Sequence, residues 1–203
     1  MLINYDPSST LYLVGNTNSI TVREIFYWIK NEASNVKIVT FSEFENLEPD
    51  CQGLICSYNL ELRSKLLDSI KHQPRRWPSF IHHTAFVSQP EKIGKGVIFY
   101  PMTFAGLDVQ IGDHSSIAQL GCLSHGCKLG VNVLLGPKVI IGGSSTIGDN
   151  VYIGQGSIVR DKVDLCSNLR LAMNSQVSKT LDQPGTYFGN RKWTIDTKQA
   201  QTL

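Results

Sequence analysis

The chain has 203 residues, of which 41% are apolar and 18% are charged, and its formal net charge is +2. This composition is typical of a globular protein with one large domain or two small ones. It argues against a membrane span, because no stretch approaches ~18 consecutive apolar residues. It also argues against nucleic-acid binding, because the densest basic cluster, PRRWP at residues 74–78, is short and is better interpreted as a linker between domains.

The first residues, MLINYDPSST, lack a basic start followed by an apolar run, so we expect a cytoplasmic protein. Its five cysteines, an odd number, are then expected to be reduced thiols and not a disulfide framework.

The first eighty residues alternate between predicted strands and helices. Strands are predicted at residues 11–14, 36–41 and 53–56. A capping-box pattern from Thr21 to Glu24 predicts a helix over residues 25–29, and a second helix starts near Asn59. The apolar face of the second helix carries Leu62, Leu66, Leu67 and Ile70. This order predicts a small parallel α/β domain of the nucleotide-binding kind over residues 1–80.

The first predicted strand runs into Gly15, followed by the polar residues Asn16 and Thr17. In nucleotide-binding α/β domains, ligand phosphates sit where the first strand meets a helix N-terminus. The loop is therefore a candidate binding site, with an ordinary strand-to-helix turn as the alternative.

A six-residue repeat fills the rest of the sequence. From Ile81 to Asp182 the chain divides without a gap into seventeen hexads, and the first position of every hexad is apolar. The second position is glycine in eight hexads, and the fifth is small or valine in fourteen. A period of six suits short extended faces that are joined by tight corners and stacked as a solenoid. We expect position one to fill the interior, position five to pack beside it, and the glycines to relieve the corner backbone.

This pattern resembles the left-handed parallel β-helix of the hexapeptide acyltransferases, in which three hexads make one coil. Seventeen hexads then give about six coils over residues 81–182 and leave residues 183–203 as a C-terminal tail. The predicted fold is thus a Rossmann-like α/β domain followed by an all-β left-handed β-helix.

Three short motifs add to the repeat: FIHHTA at residues 80–85, Tyr58-Asn59 followed by Arg63, and SHGCKLG at residues 124–130. They resemble the L-I-H-P-S-A, G-N-x-x-x-R and E-H-D/E-C-x-I-G motifs of bacterial sugar acyltransferases. That family includes UDP-4-amino-sugar N-acetyltransferases and sialic acid O-acetyltransferases. The third motif places His125 on the family's catalytic histidine.

The resemblance implies a homotrimer that transfers acetyl from acetyl-CoA to a nucleotide-linked amino sugar in surface glycan biosynthesis. His125 would be the general base, because histidine titrates near neutral pH. The resemblance and the residue chemistry nominate further contacts. For acetyl-CoA they are Gly142, Gly143, Gly154, Ser157, Arg191 and Lys192. For the acceptor they are Gly15, Asn16, Thr17, Asn59 and Arg63.

His125 occupies the third position of its hexad, close to a corner, from which it can point outward. With 18 residues per coil, Gly143 stacks over it and leaves room for a pantetheine arm. Ser124 and Gly126 replace the family's acidic neighbours, so the group that orients the ring must come from elsewhere. Asp108 and, from a neighbouring subunit, His114 are candidates, whereas Asp161 lies two coils away at ~10 Å.

Cys122, His125 and Cys127 have the spacing of a zinc site, but Cys127 falls in the inward fifth position and Cys122 in the sixth. Their side chains should diverge, and we expect no metal. Two other functions stay open: O-acetylation of a sialic-acid-like sugar, in which the base does the same work, and a non-enzymatic trimeric solenoid used for binding.

Overall fold

The computed structural model describes residues 1–193 as an N-terminal α/β layer packed against a parallel β-solenoid. The last ten residues, 194–203, belong to the predicted C-terminal tail and lie outside the described residues. The N-terminal elements are β1 (Leu2–Ile3), β2 (Leu11–Val14), α1 (Ile20–Ile29), β3 (Val36–Val39), α2 (Phe41–Glu45), β4 (Gln52–Ile55) and α3 (Leu60–Ile70). Strands β3, β2 and β4 form a parallel sheet in that order, which confirms the predicted α/β arrangement.

The helix starts differ in part from the prediction. Helix α1 begins at Ile20 after Ser19, which makes no side-chain capping bond, so the capping box predicted from Thr21 is wrong. The capping box lies at Thr40 and Glu43, where each side chain bonds the other residue's backbone N–H. It opens α2 at Phe41 and thereby ends the preceding strand two residues earlier than predicted.

Helix α3 begins where the sequence predicts, because the side chain of Asn59 accepts a hydrogen bond from the Leu62 backbone N–H. Its buried face differs from the predicted one: Leu62 is 45% exposed and Arg63 is fully buried. The buried residues of the helix are Leu60, Arg63, Leu66 and Ile70.

The solenoid has three faces. Face 1 contains β5 (Ser79–Ile81), β7 (Ile98–Phe99), β10 (Ser116–Ile117), β13 (Leu134–Leu135), β16 (Tyr152–Ile153), β19 (Leu169–Leu171), β21 (Gly185–Phe188) and β22 (Arg191–Lys192). Face 2 contains β6 (Phe86–Val87), β8 (Phe104–Ala105), β11 (Cys122–Leu123), β14 (Ile140–Ile141), β17 (Ile158–Val159) and β20 (Gln176–Val177). Face 3 contains β9 (Gln110–Ile111), β12 (Lys128–Leu129), β15 (Thr146–Ile147) and β18 (Asp164–Leu165).

Residues 18 apart pair in parallel register, as Cys122 does with Ile140, and the stack has about six coils, as predicted. We call the edge between faces 1 and 2 corner A, that between faces 2 and 3 corner B, and that between faces 3 and 1 corner C. Strand β21 pairs with β19 and buries Tyr187 in the core, so the solenoid continues past the predicted end at residue 182.

The hexad prediction of the core is confirmed. Every first-position residue lies in one hydrophobic cluster, with only Val87 and Ile93 partly buried. Fifth-position serines are also inside: Ser115 Oγ donates to the Gly130 carbonyl at 3.1 Å and accepts from the Val133 N–H at 3.0 Å. Each hydroxyl of this kind removes the cost of burying a polar group, because it bonds to the next coil.

The corners turn at position four and not at position two. His114, Asn132 and Ser144, all in position four, have φ angles of 59°, 57° and 58°. The position-two glycines serve close packing instead: a Cβ on Gly142 would overlap the Asp161 backbone N and lie 2.6 Å from the Arg160 carbonyl carbon. The expectation that these glycines relieve the corner backbone is therefore wrong.

The three faces differ in their outward side chains. Face 1 is covered by the N-terminal layer, and Ile98, Ser116 and Leu134 are buried there. Face 3 presents polar residues such as Lys128 and Asp164. Face 2 carries an exposed ladder of apolar residues, Phe86, Phe104, Ile140 and Ile158, which are 40–59% exposed. We call this set the face 2 ladder; the rings of Phe86 and Phe104 stack at 5.5 Å.

Residues 74–78 connect the two parts and pack tightly. The Arg75 guanidinium lies 4.4 Å from the centre of the Phe44 ring, and Trp77 contacts the His114 ring edge-on at 4.7 Å. Within residues 1–193, no helix combines the length and the apolar character needed to cross a membrane.

Candidate active site

His125 lies at corner B, in the turn between β11 and β12, and its side chain is exposed. Gly126 follows it with φ 69°, which lets the chain reverse there. The His125 carbonyl accepts a hydrogen bond from the Ser144 N–H of the next coil at 3.0 Å. The backbone of the histidine is thus fixed, while its imidazole extends from the edge of the solenoid.

Gly143 lies against the His125 ring, as the 18-residue coil predicts. A Cβ at Gly143 would be 3.1 Å from both Cε1 and Nε2 of His125. The space beside the ring is therefore a cradle that any side chain at this position would fill.

Within one subunit, the groups considered for orienting the His125 ring are engaged with other residues. Asp108 pairs with Lys92, with 2.7 Å between Oδ1 and Nζ, and Asp161 pairs with Arg160 at 3.7 Å. His114 is only 8% exposed and packs against Trp77, so the expectation that it serves a neighbouring subunit is wrong. Burial, together with the nearby Arg63 and Lys95, lowers the pKa of His114 to about 4, and its imidazole is neutral.

The cysteines beside His125 belong to the packing. Cys127 is buried and its Sγ donates to the Gly142 carbonyl at 3.0 Å, the bond that a serine makes at this position in other coils. Burial raises the pKa of the Cys127 thiol to about 11. Among residues 1–193, no three His, Cys, Asp or Glu side chains are grouped to hold a metal ion.

The residues expected to contact acetyl-CoA do not share one surface in the subunit. Gly142 and Gly143 lie at corner B with His125, whereas Gly154 lies at corner A. Ser157 is fully buried and its Oγ donates to the Ala172 carbonyl at 3.0 Å, so its predicted ligand contact is wrong. Arg191 and Lys192 are exposed in β22, beyond the last full coil of face 1.

The residues expected to bind the acceptor also separate. Asn16 and Thr17 are exposed between β2 and α1, and a Cβ on the buried Gly15 would lie 2.8 Å from Val22 Cγ2 and 2.9 Å from the Cys56 carbonyl oxygen. Gly15 thus permits the close approach of the helix. Asn59 caps α3. The prediction that Arg63 binds substrate is wrong, because its guanidinium is fully buried and bonded to protein acceptors.

The sequence did not predict a pocket between the two parts of the chain. It has a volume of about 240 Å³ and is lined by Thr21 and Glu24 of α1, by Tyr58, and by Tyr100, Ala118, Gln119, Gly136, Pro137 and Tyr152 of the solenoid. We call it the interdomain pocket; its solenoid wall lies at corner A. Tyr58 Oη is buried there without a hydrogen-bond partner among the described residues. Burial raises the pKa of Tyr58, so its hydroxyl is neutral. Tyr58 is the first residue of the motif formed by Tyr58-Asn59 and Arg63, and this motif was the sequence signal closest to the pocket.

Residues 126–161, which begin directly after His125, match the family model described as bacterial transferase hexapeptide (six repeats). This match covers 36 of the chain's 203 residues. Two curated proteins match the chain over part of their own length. A probable UDP-3-O-acylglucosamine N-acyltransferase 2, mitochondrial, of Arabidopsis thaliana is 40% identical over 39% of this chain and 26% of its own. A GDP-perosamine N-acetyltransferase of Escherichia coli O157:H7 is 26% identical over 52% of this chain and 48% of its own. The chain thus spans about half the length, or less, of these relatives.

Solved structures resemble the chain over nearly its whole length. The acetyltransferase domain of PglB from Neisseria gonorrhoeae, in complex with acetyl coenzyme A, is 17% identical and covers 92% of this chain and 98% of its own, with a TM-score of 0.79. A variant of GDP-perosamine N-acetyltransferase from Caulobacter crescentus, in complex with CoA and GDP-perosamine, is 18% identical over 91% and 95%, with a TM-score of 0.77. These likenesses establish the fold, an α/β layer followed by a left-handed β-helix.

Proposed function

We propose that this protein is an acetyl-CoA-dependent N-acetyltransferase that acts on a nucleotide-linked amino sugar for surface glycan biosynthesis. The observation that carries the proposal is the exposed imidazole of His125 lying against the bare backbone of Gly143. It combines a base with a side-chain-free slot, on a fold shared with proteins that bind acetyl coenzyme A and GDP-perosamine. We place the reaction in the cytoplasm, the compartment expected from the sequence.

In this mechanism, His125 accepts the proton from the acceptor amine as the nitrogen attacks the thioester carbonyl carbon. The carbon–sulfur bond then breaks, and the imidazolium returns the proton to the departing thiolate. A placed base of this kind contributes roughly 10²- to 10⁴-fold to the rate. Gly142 and Gly143 would hold the donor at corner B, and the arrangement of two substrates in register supplies the remainder.

The interdomain pocket and the Gly15–Thr17 loop are the proposed acceptor sites. The pocket offers tyrosine rings for the apolar face of a sugar, and Glu24 and Gln119 for its polar groups. It lies at corner A, whereas His125 lies at corner B, so one subunit does not bring the two together. The face 2 ladder runs between these corners.

We propose a homotrimer that buries the face 2 ladder around its axis. Contacts in a three-fold ring are heterologous, because a surface of one subunit meets a different surface of the next. Packing face 2 in this way brings corner A of one subunit towards corner B of its neighbour. The acceptor pocket of one subunit would thus adjoin the His125 of another, and each ring would hold three complete sites.

The test is a thiol-release assay with acetyl-CoA over a panel of nucleotide-linked amino sugars. His125→Ala should lower turnover roughly 10²- to 10⁴-fold, with unchanged acetyl-CoA binding by calorimetry. His72→Ala, which removes an exposed histidine of the N-terminal part, is the matched control and should have no effect. Full turnover in His125→Ala would exclude this base.

Two other functions give different results in the same experiment. O-acetylation of a sialic-acid-like sugar would yield an acetyl ester, which mild base cleaves, whereas the amide product survives. A non-enzymatic solenoid, suggested by the lack of an orienting group on His125 within residues 1–193, would neither bind acetyl-CoA nor release thiol.

A further inference from the structure

Arg63 is a fully buried cation at the junction of the two parts of the chain. On the N-terminal side, Nη1 donates to the carbonyls of Ile55 at 2.8 Å and Ser57 at 3.0 Å. On the solenoid side, Nε donates to Asn132 Oδ1 at 2.8 Å and Nη2 donates to the His114 carbonyl. One planar guanidinium therefore bonds four acceptors, two from each part.

The acceptors on the solenoid are themselves fixed. Asn132 is 1% exposed, and its Nδ2 donates to Ser64 Oγ at 3.1 Å and to Asn150 Oδ1 at 3.0 Å. The network thus returns to α3 through Ser64 and extends one coil further. Within residues 1–193 no salt bridge involves Arg63, so neutral oxygens alone compensate its charge. A buried charge held in this way tolerates little displacement, because every lost acceptor leaves it less solvated.

The network is joined to the interdomain pocket through the chain itself. Ser57, whose carbonyl Arg63 holds, precedes Tyr58, and the Tyr58 ring lines the pocket 6.0 Å from the Tyr100 ring of the solenoid wall. Tyr58 belongs to the N-terminal part and Tyr100 to the solenoid. The distance between these walls therefore depends on how the two parts are joined, and Arg63 joins them next to Tyr58.

We infer that Arg63 is a positioning residue for the acceptor: its four hydrogen bonds fix the Ser57–Tyr58 segment against the solenoid and so set the width of the interdomain pocket. This inference rests on the proposed function for its kinetic consequence, but its structural consequence can be measured without turnover. Arg63 does not contact the substrate. It acts through Tyr58.

Arg63→Lys tests the inference with the charge retained, because an ammonium cannot reproduce the planar fork that serves both parts. The KM for the acceptor should rise roughly 10- to 100-fold through misplacement of the pocket wall, whereas the KM for acetyl-CoA, which binds at corner B, should not change. A merely structural role would lower the active fraction and change neither KM. An unchanged acceptor KM in a folded Arg63→Lys protein would overturn the inference.

A milder variant decides the question if Arg63→Lys does not fold. Asn132→Gly removes the acceptor of Arg63 Nε at a residue with φ 57°, where glycine is unstrained. It should raise the acceptor KM in the same sense. Asn174→Gly is the matched control, since Asn174 has φ 56° in the same hexad position but lies at corner A and does not bond to Arg63. Equal acceptor KM values for the two asparagine variants would also overturn the inference.

Hydrogen–deuterium exchange separates this inference from the proposed function. Either variant at the network should speed exchange in residues 57–60, with face 2 and face 3 strands still protected. If the wild-type protein shows no transfer, the proposed function fails, and exchange alone decides the role of Arg63. Unchanged exchange at residues 57–60 in both network variants would refute the positioning role.

Discussion

Gly143→Ala should lower turnover without lowering the thermal stability of the protein. The new Cβ would lie 3.1 Å from His125 Cε1 and Nε2 and 3.3 Å from the His125 carbonyl oxygen. That is only a few tenths of an ångström closer than ordinary contact, and the ring is exposed, so it can move away. The methyl group would occupy the cradle, and the imidazole would be displaced by up to about 1 Å, which is expected to cost roughly 10- to 100-fold in kcat.

Gly142→Ala, at the preceding residue, provides the contrast. There a Cβ meets the backbone of Asp161 and Arg160, which cannot move without separating two coils. Overpacking of this kind typically costs about 1–3 kcal/mol. For a chain of this length, that corresponds to a fall in Tm of roughly 2–12 °C.

The assay is thiol release at saturating acetyl-CoA, paired with calorimetric melting of both variants. Gly143→Ala should melt like the wild type and turn over slowly, and Gly142→Ala should melt early. Wild-type turnover in Gly143→Ala would refute the idea that the space beside His125 is used. A large loss of Tm in that variant would instead mean that residue 143 is needed for coil packing.

Three other predictions concern the core and the faces. Through His114, the free energy of unfolding should fall by roughly 3 kcal/mol as the pH drops from about 6.5 towards 4, because burial lowers the pKa of His114 to about 4 and the unfolded chain takes up the proton first. Urea titrations should show this loss, and it should be smaller in His114→Asn, where the lowered pKa of His82 still contributes. Ile140→Asp on the face 2 ladder should give monomers in light scattering, whereas Thr146→Asp on the polar face 3 should not; an unchanged size would place the interface elsewhere. Cys127→Ser should keep full turnover and Tm, because serine already makes the equivalent bond at positions 115, 145 and 157, and a loss of turnover would give the thiol a chemical role.

The solenoid was predictable because every hexad has an apolar residue in its first position, so each hexad indicates the same buried site independently of the others. The same period, together with the three hexads per coil that the resemblance implies, placed Gly143 on His125. Fifth-position burial followed from the pattern as well, and it removed Cys127 from a shared site with His125. Once the coil length is set, these results follow from counting along the chain, because neighbours in the stack are 18 residues apart.

Predictions failed where placement depends on contacts between the two parts or on backbone conformation. Arg63 matched a motif associated with ligands, but its helix turned it inward, where the solenoid supplied acceptors. His114 looked like an outward residue, yet Trp77 from the connecting segment covers it. The role of position four was missed because asparagine, lysine, serine and histidine all occur there, and composition did not reveal the shared positive φ.

The fixed register of the coils also governs how such a chain can change in length. One inserted residue would exchange the inner and outer sides of the following strand until the phase was restored. An insertion of eighteen residues would add one whole coil and preserve the alignment of the coils on either side of it. The contact between His125 and Gly143 involves only two consecutive coils. Coils could therefore be added or removed at the C-terminal end of the solenoid while corner B keeps its geometry at His125. The lengths of functional chains should then differ by whole coils.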